Sequence, residues 1–270
     1  MPFTKIEDQV ELFYEERGTG RPVIFIHGVW MSSKFFHKQL SAASKHYRTI
    51  VLDLRGHGSS SMVHHGHTIA QYARDLNAFI QKLDLKNVVL AGWSMGAFVI
   101  WDYLQQFGEN SVKGTVIIDE LASDFKWPDF SIGAFDLPAL TQFMRDVQNN
   151  RRAVLEGFVP LMFKEELSKD DFSWMMEEVT KMPESIASAT LFDQSIVDYR
   201  DFLSEIKKPT LLCFGREEKL IPVAAGEHLH ENIPNSRLEI FEQSCHCPFL
   251  EESEKFNSVL EQFVGSLDDF

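Results

Sequence analysis

Residues 88–104 read VVLAGWSMGAFVIWDYL, an apolar run, the pentapeptide Gly92-Trp93-Ser94-Met95-Gly96, and a second apolar stretch from Ala97 to Leu104. A short, continuous apolar run marks a strand buried on both faces, as in a parallel sheet covered by helices. The stretch after the pentapeptide has the length of a buried helix. Gly-x-Ser-x-Gly between such a strand and such a helix is a nucleophile elbow, a tight turn that lifts the serine hydroxyl above the sheet edge. Glycine suits both flanking positions because it carries no Cβ to clash in so sharp a turn. Ser94 is therefore the candidate nucleophile, against the plain alternative of a Gly-rich strand–helix turn.

Working outward, further short apolar runs at Val23–Ile26, Ile50–Leu52, Val116–Ile118, Leu211–Phe214 and Leu238–Phe241 read as strands buried on both faces. Phe3–Ile6 and Val10–Tyr14 read as an edge hairpin. Ile69, Tyr72, Ala73, Leu76, Phe79, Ile80 and Leu83 recur at helical spacing, with Thr68 as N-cap. Phe256, Val259, Leu260, Phe263 and Val264 line one face of a last helix. Strands alternating with helices predict an α/β fold. Between Asp119 and Thr210 the chain is too long for a simple crossover. It carries helical patterns such as Leu140/Phe143/Met144/Val147 and Phe172/Met175/Met176/Val179, punctuated by Pro128, Pro138, Pro160 and Pro183. A helical cap over residues 121–205, inserted in a core of residues 1–120 and 206–270, is expected.

A serine nucleophile of this kind is followed in the chain by an acid and then a histidine. Gly215-Arg216-Glu217-Glu218-Lys219-Leu220-Ile221-Pro222 follows a late strand, and Ser244-Cys245-His246-Cys247-Pro248 follows the last one. Four motifs in order, His27-Gly28, Asp53-Leu54-Arg55-Gly56-His57-Gly58-Ser59, the elbow and the His246 loop, make nearly the whole chain similar to the α/β-hydrolase superfamily. Within it the chain most resembles small bacterial carboxylesterases and the cofactor-free haloperoxidase/perhydrolase group. The resemblance implies a mostly parallel central sheet flanked by helices, with a helical cap. It also implies an acid at the position of Glu218, where relatives usually carry Asp; Glu is one methylene longer. Asp119, at the end of an earlier strand, is the other candidate acid, because some lipases draw theirs from there.

The chemistry expected of these parts is nucleophilic. His246 removes the Ser94 proton and later returns it to the leaving group, and the acid holds the imidazole tautomer. Backbone N–H groups of Val29 and Met95 are the candidate oxyanion donors. Trp30, with Phe125 and Trp127 of the aromatic-rich cap, is expected in the substrate pocket. The resemblance implies hydrolysis of small, fairly apolar carboxylic esters, lactones among them, through an acyl-enzyme and without cofactor or metal. Perhydrolysis or carbon–carbon bond hydrolysis on the same residues, or ligand reception with little turnover, stay open. Dehalogenases and the usual epoxide hydrolases need Asp where this chain has Ser94.

Other features read more plainly. His27 is expected to brace the oxyanion loop, and Arg55 and His57 to hold a structural turn. His64, His65 and His67 are expected in a solvated loop rather than on a metal, Glu217 as a surface charge, and Cys245 and Cys247 as packing residues. Three cysteines do not make a disulfide framework, which suits a reducing cytoplasm. The opening Met1–Asp8 lacks the pattern of a signal peptide, and no apolar stretch is long enough to span a bilayer. A net charge of −14 opposes binding to a phosphate backbone, so no nucleic-acid partner is expected.

Overall fold

A computed structural model describes residues 3–267; Met1 and Pro2, which open the stretch read for a leader, lie outside it. The chain lays down β1 (Phe3–Glu7), β2 (Val10–Arg17), β3 (Pro22–Ile26) and β4 (Arg48–Leu52), then β5 (Val88–Trp93), β6 (Val112–Ile118), β7 (Thr210–Gly215) and β8 (Ser236–Phe241). They form one sheet in the order β1-β2-β4-β3-β5-β6-β7-β8. The β1–β2 hairpin is antiparallel and β2 runs antiparallel to β4, whereas every pairing from β4 to β8 is parallel. Residues of β3, β5 and β7 are almost wholly buried, as their unbroken apolar runs require.

Two strands depart from expectation. β6 starts at Val112, four residues before its apolar run, because Lys113, Gly114 and Thr115 dilute the signal, although Val112, Gly114 and Thr115 pair with β5 and Lys113 sits at a shift in register. β8 is not buried on both faces: Arg237 is exposed and only Phe241 is fully covered, because β8 is the sheet's outer strand.

Helices α1 (His37–Ala43), α2 (Ile69–Lys82) and α3 (Met95–Phe107) follow the early strands, and α7 (Val223–Asn232), α8 (Pro248–Glu251) and α9 (Ser253–Ser266) the late ones. Thr68 caps α2, its hydroxyl accepting the Gln71 N–H at 3.2 Å. The apolar face of α9 is buried through Phe256, Val259, Leu260, Phe263 and Val264. Between β6 and β7 lie α4 (Leu137–Leu161), α5 (Lys169–Val179) and α6 (Glu184–Ile196). Helix α4 is interrupted at Asn150, whose φ of −158° and ψ of 72° are not helical. The Asn150 side chain accepts the Ala153 N–H at 3.1 Å and so restarts the helix as a cap. α4 packs on α5 and α6, and α6 reaches α2.

The elbow is tightly packed against backbone. A Cβ on Gly96 would stand 2.3 Å from the Ile26 carbonyl oxygen, and one on Gly92 would stand 2.4 Å from that of Gly96. Both obstacles are backbone, so neither can swing away. Gly96→Ala is expected to cost about 3 kcal/mol or more, as overpacking against a rigid neighbour does. Urea denaturation checks it; an unchanged midpoint would mean that the turn is not tight.

Candidate active site

Ser94 stands between β5 and α3 with φ 51° and ψ −127°, a conformation that costs a non-glycine residue about 1–3 kcal/mol. The surroundings over-determine it: the Ser94 N–H donates to the Ile118 carbonyl and its own carbonyl accepts from Ala97. Its side chain makes no capping bond to the helix, so the hydroxyl is left for other partners. Trp93 is turned the other way, and its Nε1–H donates to the His246 carbonyl at 2.9 Å. The elbow thereby holds the histidine loop from below.

His246 is buried, and its Nδ1 lies 3.2 Å from Glu218 Oε2 and 3.8 Å from Asp119 Oδ1. Only the first is within hydrogen-bonding distance. Glu218 is fixed in turn by its Oε1, which accepts the Leu220 N–H at 2.5 Å and the Ile221 N–H at 3.2 Å. Asp119 has a left-handed φ of 52°, and its Oδ2 accepts the Gly215 N–H at 2.9 Å, tying the end of β6 to the acid turn. Its Oδ1 has no hydrogen-bond partner among the described residues. Both carboxyls thus converge on one imidazole, with different tasks in the backbone.

Charge follows from this packing. Burial alone would lower His246, but the Glu218 charge and the Asp119 carboxyl outweigh it and lift the imidazole above its ordinary 6.5. Burial, and then the Glu218 charge, pushes Asp119 up to about 8. Glu218 is held below the usual range in spite of its burial, by His246 and the two N–H groups. Glu218 is therefore the ionised partner and Asp119 the neutral one near pH 7. Asp119, Glu218 and His246 also offer ligand-type atoms within 4.8 Å of one another, a spacing that could hold an ion; the 3.2 Å hydrogen bond is the other use of the same atoms.

Ser94 and His246 open on a cavity of about 100 Å³ whose wall is mostly apolar. Val29 and Trp30 line it from the loop after β3, and Phe143, Phe158 and Leu191 from α4 and α6. Met95 is the first residue of α3, where N–H groups have no acceptor inside the helix. Phe125 and Trp127 are not on this wall. Their rings pack on each other, tilted by 58° with centroids 5.1 Å apart, and Phe125 bridges to Phe135, which takes the lining position. Glu120, Asp124 and Gln194 are polar members of the wall that sequence reasoning did not single out. Their one signal was position: Glu120 and Asp124 follow the C-terminal end of a buried strand, where α/β sheets bind ligands.

The loop after β3 is anchored to the helices above it. Trp30, at φ 65°, donates from Nε1 to the Ala187 carbonyl at 3.0 Å. Ser32 Oγ donates to Glu178 Oε2 at 2.9 Å. Arg151 lies over the Trp30 ring and donates to the Val179 and Met182 carbonyls at 2.6 and 2.7 Å.

The remaining motif residues are structural. His27 Nε2 accepts the Leu54 N–H at 3.1 Å, so Nδ1 carries the proton to the Gly28 carbonyl at 2.8 Å. Burial lowers the His27 pKa to about 4 and keeps the ring neutral. Asp53 receives the Ser33 and Ser59 N–H groups at 2.6 and 2.7 Å, and Arg55 forks onto Asp75 with two 2.7 Å bonds. Of the histidine cluster, His64 and His65 are exposed but His67 is not. It is buried, and its Nε2 meets the Val63 carbonyl at 2.6 Å, so the expectation of a wholly solvated loop fails there. Cys245 and Cys247 are buried free thiols, and Glu217 is exposed.

Comparison with known proteins agrees with this architecture. The alpha/beta hydrolase fold family matches residues 21–253. An AB hydrolase superfamily protein of Bacillus subtilis is 31% identical, over 98% of this chain and 99% of that one. A non-heme chloroperoxidase of Kitasatospora aureofaciens is 30% identical over 98% of this chain and its own full length. Among solved structures, an esterase from Exiguobacterium antarcticum superposes with a TM-score of 0.91 at 29% identity, covering 95% of this chain and 96% of that one. The family match and these relatives extend along nearly the whole sequence, and the chain belongs to the alpha/beta hydrolase fold family.

Proposed function

We propose that the chain hydrolyses small, fairly apolar carboxylic esters through an acyl-enzyme on Ser94. The observation that carries this reading is a strained, uncapped serine sharing an apolar cavity with a carboxylate-backed histidine. His246, with Glu218 on Nδ1, presents Nε2 as the base that takes the Ser94 proton. Ser94 Oγ attacks the ester carbonyl, and the oxyanion that forms is met by the N–H groups of Met95 and Val29. His246 then protonates the leaving alkoxide, and water repeats the sequence on the acyl-enzyme. Lifting the imidazole pKa strengthens the base at the cost of a smaller neutral fraction at low pH.

Hydrolysis of 4-nitrophenyl acetate, butyrate and octanoate tests the reading. Acetate and butyrate are expected to turn over well above background and octanoate least, because the cavity is small. No turnover of any of the three would sink the proposal. The chloroperoxidase relative favours a second use of the same acyl-enzyme, in which hydrogen peroxide replaces water and a peroxy acid leaves. Bromide oxidation that requires both an acyl donor and peroxide would register it.

A further inference from the structure

The end of α4 is bonded to both loops that carry Glu218 and His246. A helix leaves its last carbonyls without partners inside itself. Those of Val159 and Pro160 are met by the N–H groups of Met162 and Phe163 as the helix closes. The next four carbonyls along the chain are met from the two loops. The Leu161 carbonyl accepts the Cys245 S–H at 3.2 Å, and the Met162 carbonyl accepts the His246 N–H at 3.1 Å. The Phe163 and Lys164 carbonyls accept from the Lys219 ammonium at 2.6 and 3.1 Å. One further tie runs the other way through a single carboxylate: Glu251 Oε1 accepts the Lys164 N–H at 2.7 Å and its Oε2 accepts the Cys245 N–H at 2.8 Å.

This clasp fixes the histidine from two sides. His246 gives its N–H to Met162 and its carbonyl to Trp93 on the elbow, so its peptide groups span from α4 to β5. Lys219 follows Glu218 directly, so the acid turn is drawn to the same short segment. Met162 and Phe163 are buried, where a broken bond is not replaced by one to bulk water. Phe158, one turn before Met162, lines the cavity and packs 6.0 Å from the Trp30 ring. The wall of the cavity and the anchor of the histidine loop are thus one piece of helix.

We infer that residues 161–164 are a strap that positions the acid and histidine loops over Ser94, with Glu251 and Lys219 as its positioning residues. The inference rests on the ester-hydrolase reading above, because it concerns the groups which that reading uses. Glu251 and Lys219 are not on the cavity wall and act through the loops they bond. Misplacement of a catalytic group by about 1 Å can cost roughly 10²-fold in rate.

Glu251→Gln and Lys219→Met test it on the intact protein. Gln keeps the shape of Glu but has one acceptor oxygen, so one of the two N–H partners faces an amide NH2. Met keeps a stem of similar length and removes the donors. The first change removes a negative charge and the second a positive one, so their fields at His246 oppose each other while both loosen the strap. Two rates are read: turnover of 4-nitrophenyl butyrate, and labelling of Ser94 by diisopropyl fluorophosphate followed by intact mass. Labelling forms an Oγ–P bond, expels fluoride and passes the serine proton to His246, whether or not esters are substrates. Both kcat and the labelling rate are expected to fall, about tenfold or more in Glu251→Gln and about threefold or more in Lys219→Met, with KM within about twofold. Rates unchanged in both variants, whatever happens to the melting temperature, would overturn the strap. So would rates that move in opposite directions, or a loss confined to KM. Should Glu251→Gln not fold, Lys219→Met decides the matter alone. Labelling of the wild type without ester turnover would overturn only the ester-hydrolase reading, and the ratio of labelling rates would still decide the strap. Neither labelling nor turnover in the wild type would overturn both.

Discussion

Ser94→Ala is expected to abolish ester turnover, with a loss in kcat on the order of 10⁶-fold, while the protein still folds. On the proposed mechanism alanine removes the atom that bonds to the acyl group, leaving only binding and oxyanion stabilisation. The fold should survive because Ser94 is held by backbone bonds to Ile118 and Ala97, which alanine keeps. Its hydroxyl caps nothing, so no structural hydrogen bond is lost with it. Side-by-side burst kinetics with 4-nitrophenyl butyrate and thermal melting provide the check. A melting midpoint within a few degrees and no burst is the expected pair. Substantial residual turnover in Ser94→Ala would mean that the chemistry runs elsewhere.

Glu218→Gln and Asp119→Asn separate the two carboxyls that face His246. Glu218→Gln is expected to cost roughly 10³–10⁴-fold in kcat, because an amide N–H against Nδ1 favours the tautomer with its proton turned towards Ser94. Asp119→Asn is expected to stay within about tenfold, since the 3.8 Å separation is too long for a hydrogen bond. The pH profile gives a second readout. On the proposed mechanism His246 acts only when neutral, so activity is expected to fall as pH drops through its raised pKa. Removing the Glu218 charge removes the largest raising contribution and moves the acid limb of kcat/KM to lower pH. An unmoved limb in Glu218→Gln, with collapse in Asp119→Asn, would transfer the acid role to Asp119.

How much of this was legible in the sequence depended on how local each signal is. β3, β5 and β7 are buried on both faces, so their residues are apolar without interruption and they stand out as runs. Gly92, Ser94 and Gly96 are legible because a tight turn constrains its own few residues. Glu218 and His246 follow strands whose ends the sequence marks. Other features depend on contacts between distant parts. Phe135 rather than Phe125 lines the cavity because the segment after β6 folds back on itself through Phe125–Phe135 and Trp127–Phe130 bridges. No periodicity reports such a fold-back. Asn150 interrupts α4 in a stretch without proline or glycine, so the break's local mark is the capping asparagine alone. Gln194 and Asp124 look like solvated cap residues until they are paired at 2.7 Å.

The bonds from Trp30 to Ala187 and from Ser32 to Glu178 have a consequence for anyone who would exchange parts between members of this family. Residues 28–33 belong to the core by chain order but are seated by α5 and α6. A foreign segment grafted between β6 and β7 would arrive without the Glu178 side chain, and the loop after β3 would lose that seat. The transplantable unit is therefore discontinuous: the helices and the loop beneath them travel together or neither does. The loop after β3 and the helices between β6 and β7 are in this sense a single module, cut in two by the order of the chain.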